Sequence, residues 1–286
     1  MSDQGPLPDR RDDFGLIETL LWTPEGGFEL LPEHLARLAA SSAELGFACD
    51  LAKVEKALSS MIPNVAASPL PQSGGGLGRG PFHGDLSGAE SPPPHPSPAK
   101  GRPSGRPSED GLWRERELAP DLSREAAANA RERERRLRVR LVLSRDGALE
   151  TTATPIDPVP AETIWRVVLA RTRFTSDAPL LRHKTTRRAL YEDELARAMR
   201  EDGADEVLFM NERDELCESA RCNLFVPQGD RLLTPPLSSG LLPGTLRARL
   251  LAQGRASEAV LRLADLPETF WLGNSVRGLV RARRAV

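Results

Sequence analysis

Apolar side chains crowd the run "FGLIETLL" at residues 14–21, which predicts a strand. "TPEGG" then makes a turn, and "FELL" at 28–31 is expected to return as the hairpin partner. Beyond Pro32 the period becomes helical: Leu35, Leu38, Ser42 and Leu45 fall on one stripe, and Gly46 closes it. A second helix is expected over about 51–62, ending at Pro63. From Val65 to about Leu122 the pattern collapses into Pro, Gly and Ser with almost no aliphatic residues. Such a stretch cannot bury enough apolar surface to offset its ordering entropy, so a disordered insertion is predicted over about 65–122. His83, His95 and Lys100 fall inside it and drop out of any catalytic argument.

Pattern resumes with a charged helical stretch, "SREAAANARERERR", and then "LRVRLVLS", which alternates like a half-buried strand. "RDG" turns it back into "ALETTAT". The Pro-rich joint "PIDPVPAE" (155–162) reads as a domain boundary, giving a small N-terminal α+β domain over 1–157 and a larger one over 158–286. The second half predicts a strand "WRVVLA", a helix at about 188–200 and a hairpin "EVLFMNERDELCES". Strands "CNLFV" and "RLLT" follow, then a helix "TLRARLLAQG". Connections are mostly hairpins, which predicts α+β rather than a doubly wound sheet.

Composition narrows the function classes. Hydrophobic content is 39%, a deficit that the insertion accounts for. A net charge of −2 leaves no electrostatic footprint for nucleic acid. No apolar run of about 18 residues is present to span a membrane, and the start "MSDQGPLPDRRDDFG" lacks a signal peptide's apolar core. The expectation is a soluble cytoplasmic protein. Cys49, Cys217 and Cys222 do not make a disulfide framework, and no His stands at metal-ligand spacing from them.

Only four of the 39 basic residues are lysine: Lys53, Lys56, Lys100 and Lys184. Lys184 sits in "RHKTTRRALYE" among Arg182, Arg187 and Arg188. Lysine can lose its proton and attack a carbonyl, and neighbouring cations favour that loss; taken alone, a surface lysine is the plainer reading. Glu218, between two apolar strands, must be solvated or held against a cation. Gly244 precedes a helix starting near Thr245, whose free N–H groups can bind an anion or simply be capped. Asn274 and Ser275 lie on a small-residue turn, and His34 and Arg37 stand at i and i+3 on the first helix, where a solvated face is the ordinary reading.

In this order, "FGLIETLLW", "LLPEHLARLAASSAELGF", "RHKTTRRALYE", "GADEVLFMNERDELCESARCNLFV", "LTPPLSSGLLPGTLR" and "NSVRGL" resemble the fold-type IV pyridoxal-phosphate enzymes. The resemblance implies the two-domain α+β fold of the D-amino acid aminotransferases, with pyridoxal 5'-phosphate as cofactor. It implies that Lys184 bonds covalently to the cofactor and moves protons at the substrate carbon. Glu218 matches the acid facing the ring nitrogen, and Arg37 matches an arginine reaching the phosphate. Thr245 and Leu246 match a helix-start phosphate cradle, joined by Asn274 and Ser275. Arg140, with Arg138 on the same face, is expected to meet a substrate carboxylate. A homodimer is also implied.

Within the family, branched-chain aminotransferases carry a tyrosine five residues past the lysine, where this chain has Ala189. "KTTRRALY" is more similar to the aminodeoxychorismate lyases, including lyase-like domains fused to aminodeoxychorismate synthase. The expected reaction is release of pyruvate to give 4-aminobenzoate, a step toward folate, with association with the synthase as a further implication. The alternatives are a class IV amino-acid transaminase of branched-chain or D-amino acid type, acting on a small amine or amino-acid-like substrate, and a non-catalytic binding or regulatory domain. Tyr191, the only tyrosine, is read as a helix-packing residue.

Overall fold

The structure, a computed structural model, describes residues 14–66 and 136–285. The predicted insertion over about 65–122 and the charged stretch after it lie outside these residues, apart from the first two positions of the insertion.

Strand β1 (Leu16–Thr23) pairs with the two-residue β2 (Gly27–Phe28) and with β3 (Leu137–Leu143), which pairs with β4 (Leu149–Pro155). All three pairings are antiparallel. On β3 the alternation is regular: Leu137, Val139, Leu141 and Leu143 are buried, while Arg138 and Arg140 are exposed. Helices α1 (Leu31–Leu45) and α2 (Leu51–Ala66) cover the apolar face, where Leu38, Val54 and Leu58 join Leu16 and Leu20 in one core. Each such side chain contributes about 1.5–3 kcal/mol by leaving water.

The returning strand is shorter than "FELL" suggests. Leu30 has φ 55°, a left-handed conformation that ends the pairing and turns the chain into α1. Helix α2 continues past Pro63 to Ala66. On α1 the predicted stripe faces the core, with Leu38 and Ser42 buried and Leu35 and Leu45 packed against it, and the buried face also takes in His34 and Ser41, which turns a polar edge inward. That edge faces the site described below.

The second sheet has eight strands in the order β10-β9-β8-β11-β12-β5-β6-β7. These are β5 (Ile164–Leu169), β6 (Glu206–Met210), β7 (Leu216–Ser219), β8 (Asn223–Gln228), β9 (Arg231–Thr234), β10 (Ala256–Glu258), β11 (Phe270–Asn274) and β12 (Gly278–Arg284). Strand β7 also pairs back to β8 at Glu218↔Asn223, so the run from β8 to β7 closes on itself. Closure pairs off the edge that β7 would otherwise leave, and the sheet encloses Trp165, Leu208, Leu224, Phe270 and Leu272. Outside it, α3 (Ala189–Asp202) packs through Ala198 near Phe174 and Phe209, and α4 (Thr245–Ala252) packs through Leu250 near Phe225. Pairings are mostly antiparallel, with parallel contacts at β5–β6, β5–β12 and β9–β10. Cys217 and Cys222 are buried and all three cysteines are free. Among the described residues no helix is long and apolar enough to cross a membrane.

Candidate active site

A cavity of about 340 Å³ opens beside the closing strands β7 and β8, walled on the other side by β1 and β3. Lys184 lines it from an extended segment laced along the start of β1. Ile17 N–H donates to the Lys184 carbonyl at 2.7 Å, Thr186 N–H to the Gly15 carbonyl at 2.9 Å, and Gly15 N–H to Thr186 Oγ1 at 3.0 Å. His183, buried, adds a 3.0 Å contact from Nδ1 to Ser41 Oγ on α1. These bonds fix the lysine backbone, while its amine makes no side-chain hydrogen bond or ion pair among the described residues.

Burial, then the charges of Arg188 and Arg37, bring the Lys184 amine down to about 7, although Glu18 and Glu218 pull the other way. Near neutral pH a large fraction of it is therefore an uncharged nucleophile. Glu218, only 5% exposed at the β7–β8 closure, lies in the same cavity. Burial raises it to about 7, against the hydrogen bonds that favour its ionised form. Tyr191 O–H donates to Oε1 at 3.0 Å; Leu242 N–H at 3.2 Å and Asn223 Nδ2 at 3.4 Å donate to Oε2. Arg188 lies over the Tyr191 ring at 4.8 Å and donates to the Ala220 carbonyl at 2.5 Å, which holds its charge beside the lysine.

At the start of α4, Gly244 occupies the N-cap position and no side chain caps the helix. A Cβ on Gly244 would collide with Asn223 Oδ1, so the close approach of loop and strand requires glycine. The helix start is tied to α1 through a buried chain of polar groups. Arg37 donates to Glu18 through Nε (2.9 Å) and Nη2 (2.6 Å), and through Nη1 to the Pro243 carbonyl (3.2 Å). Three of the five N–H groups of a guanidinium are thus used. His34 meets the same carboxylate at 2.5 Å through Nδ1, which must donate because an ionised carboxylate only accepts, and its Nε2 lies 3.3 Å from Thr245 Oγ1.

Ser275 Oγ donates to the Thr19 carbonyl at 3.2 Å, which fastens the β11–β12 turn to β1. The Asn274 amide is committed to that turn: Oδ1 accepts from Val276 and Arg277 N–H, and Nδ2 donates to the Arg221 carbonyl. Arg138 and Arg140 both line the cavity from β3. Leu246 presents only its backbone at the helix start, its side chain packing against the core under α4.

The profile of the family described as amino-transferase class IV matches residues 114–285, more than half of the chain. The chain belongs to the class IV aminotransferases. Members of this family depend on pyridoxal phosphate, and this chain is accordingly a pyridoxal-phosphate-dependent enzyme. A solved protein from Mesorhizobium loti, provisionally named an amino-acid aminotransferase, is 35% identical over 96% of this chain and all of its own, with a TM-score of 0.67. A solved protein from Legionella pneumophila, provisionally named a 4-amino-4-deoxychorismate lyase, shares the fold at 17% identity and a TM-score of 0.64, covering 99% of this chain and 88% of its own. Among curated proteins, one from Schizosaccharomyces pombe, provisionally named an aminodeoxychorismate lyase, is 29% identical over 122 residues, 42% of this chain. The match spans about half (53%) of that relative's length. The fold is the two-domain α+β fold of the fold-type IV enzymes.

The donor set of this member of the class IV aminotransferase family suits the cofactor group by group. An amine that is partly unprotonated is available for an aldehyde, a buried carboxylate for a ring nitrogen, and an uncapped helix start with two spare Arg37 N–H groups for a phosphate. Arg37, Lys184, Glu218, Thr245, Asn274, Ser275 and Arg140 all line one cavity. Sequence reasoning did not single out Glu18, His183 or Asn223, took His34 for a solvated position and gave Tyr191 packing alone. Glu18 had a legible signal: it is the one charge in a mostly apolar strand, and a buried carboxylate needs partners.

Proposed function

We propose that this enzyme is a lyase of the 4-amino-4-deoxychorismate type, releasing pyruvate to leave 4-aminobenzoate. The observation that carries the reading is that Lys184, from the extended segment beside β1, and Glu218, from β7, reach one cavity, each held near the neutral range by burial. In this assignment Lys184 is the catalytic base and the point of covalent attachment. Glu218 keeps a proton on the ring nitrogen, and Arg37, the N–H groups of Thr245 and Leu246, and Ser275 hold the phosphate. Asn274 shapes the turn that presents Ser275. Bound pyridoxal phosphate supplies an electron sink.

The work of the chain's own residues follows. Lys184 takes the proton from the amine-bearing carbon of the substrate. The carbon–oxygen bond to the enolpyruvyl group then breaks, and gain of aromaticity favours that cleavage. The leaving enolpyruvate takes up one proton to become pyruvate, which balances the proton held by Lys184, so no water or oxidant is consumed. Arg140 orients a substrate carboxylate from β3.

Ala189, where branched-chain aminotransferases have tyrosine, supports the lyase over the transaminase, as does the name given to the Schizosaccharomyces pombe relative. The Mesorhizobium loti similarity favours the transaminase reading, in which Lys184 returns its proton to a cofactor carbon. The proposal extends to a domain boundary near residue 157, a cytoplasmic homodimer and association with aminodeoxychorismate synthase. Pyruvate release from 4-amino-4-deoxychorismate, assayed beside keto-acid formation from amino-acid donors, separates the readings. Pyruvate without keto acid supports the lyase; keto acid alone overturns it.

A further inference from the structure

Three buried side chains run in line from β1 to the start of α4: Glu18, His34 and Thr245. Glu18 accepts from His34 Nδ1 at 2.5 Å, and His34 Nε2 lies 3.3 Å from Thr245 Oγ1. Thr245 lines the cavity and His34 does not, so the imidazole reaches an anion there only through the threonine. The catalytic assignment leaves His34 without a role.

Glu18 is ionised at neutral pH and only accepts, which fixes a proton on Nδ1. The relay then has two arrangements, set by Nε2. With Nε2 bare, the single hydrogen of the Thr245 hydroxyl points back to it, and Oγ1 turns lone pairs toward the cavity. With Nε2 protonated, the imidazolium donates to Oγ1 and frees the hydroxyl hydrogen for the cavity. The first arrangement repels an oxyanion at the helix start; the second binds it. The unpaired N–H groups of α4 also give its start a partial positive charge, which disfavours a charged imidazole until an anion offsets both. The other charged groups set around the ring are already engaged or lie across the cavity. Glu18 from β1 holds Arg37 of α1, Glu33 of α1 holds Arg249 of α4, and Lys184 of the extended segment lines the same cavity as Arg37 and Thr245.

We propose that His34 is a positioning residue for the anion end of the cavity: it gains one proton from solvent when a phosphate or similar oxyanion binds at the start of α4, and so turns the Thr245 hydroxyl to donate to that anion. The inference rests on the assignment of this helix start to the cofactor phosphate and deepens it. Anion binding and proton uptake become linked, each strengthening the other to the same degree.

Sulfate is the test anion, because it stays a dianion across the neutral range and brings no proton of its own. Histidine labelled with 13C in the ring reads the proton directly in the cofactor-free full chain, which has four histidines. His34→Gln identifies the His34 signal by its loss; if that variant does not fold, Thr245→Val marks the same signal by removing its hydrogen-bond partner. At pH 7.5 and constant ionic strength, sulfate should move the His34 signal toward the imidazolium position, and cofactor loading should do the same. In Thr245→Val sulfate should still bind through the helix N–H groups with the His34 signal unmoved, and Thr245→Ser should restore the shift. Calorimetry on the same samples should show sulfate affinity falling more steeply with pH in the unaltered protein than in Thr245→Val. The difference should reach up to about ten-fold per pH unit, the limit for one linked proton. Bound sulfate with an unmoved His34 signal, or a shift that survives in Thr245→Val, overturns the role of His34 alone. Failure of both sulfate and pyridoxal phosphate to bind overturns the phosphate assignment and the proposal with it.

Discussion

The Tyr191 hydroxyl donates a 3.0 Å hydrogen bond to Glu218 Oε1, while its ring sits 5.4 Å from Phe174 and 5.3 Å from Phe209. The only tyrosine of the chain thus packs helix α3 and holds the buried acid at once. Phenylalanine keeps the first role and removes the second. Tyr191→Phe should stay folded, losing about 1 kcal/mol of stability. Without a donor to its ionised form Glu218 titrates higher, so the acidic limb of the pH–rate profile should move to higher pH. Glu218→Gln should retain cofactor yet lose about 100-fold or more in turnover. An unmoved acidic limb in Tyr191→Phe, together with near-normal turnover in Glu218→Gln, would mean the acid is misassigned.

Glu18 should carry much of the stability at the junction of β1 and α1. Burial alone would raise its pKa, but Arg37 and His34 more than offset that and bring it from 4.5 to about 2. A carboxylate depressed on folding stabilises fully above its unfolded value, and the contribution fades as pH falls from 4.5 through about 2. Glu18→Ala leaves Arg37 and His34 without their buried partner and should cost about 3–5 kcal/mol. Urea denaturation at pH 7 and at pH 3 checks both points: the gap between the unaltered protein and the variant should narrow at the lower pH. A gap that is small at pH 7, or constant, would contradict it.

The lowered Lys184 amine predicts how the cofactor-free protein takes up pyridoxal phosphate. Only the uncharged amine attacks, so the uptake rate should rise with pH around a midpoint near 7. An ordinary lysine would give a midpoint near 10.5. Arg188→Gln removes a like charge, favours the ammonium form and should move the midpoint upward. Stopped-flow absorbance across pH 6–10 measures it, and a midpoint near 10 in the unaltered protein would contradict the electrostatic account.

Local order was legible where side-chain alternation decides it. Strand β3 shows this, since Arg138 and Arg140 could be placed on one face from "LRVR" alone. The helix starting at Thr245 was equally legible, because Gly244 marks its entry. Less legible were contacts set by long-range closure. Nothing local tells Glu218 that the Leu242 N–H, 24 residues on, will reach it, whereas Asn223 sits only five residues away across the β7–β8 turn. The same holds for His34, which an amphipathic reading of α1 assigns to water. Its burial follows from Glu18 on β1 and Thr245 on α4 arriving from 16 and 211 residues away. Tyr191 was half legible, its ring predictable from the helix but its hydroxyl partner not.

The central claim is that Lys184 carries the cofactor, and peptide mass spectrometry after borohydride reduction tests it most directly. The reduced protein should bear one pyridoxyl-phosphate group, on the peptide containing Lys184, and Lys184→Ala treated the same way should bear none. A pyridoxyl group on another lysine, or a reducible adduct that persists in Lys184→Ala, would contradict the account.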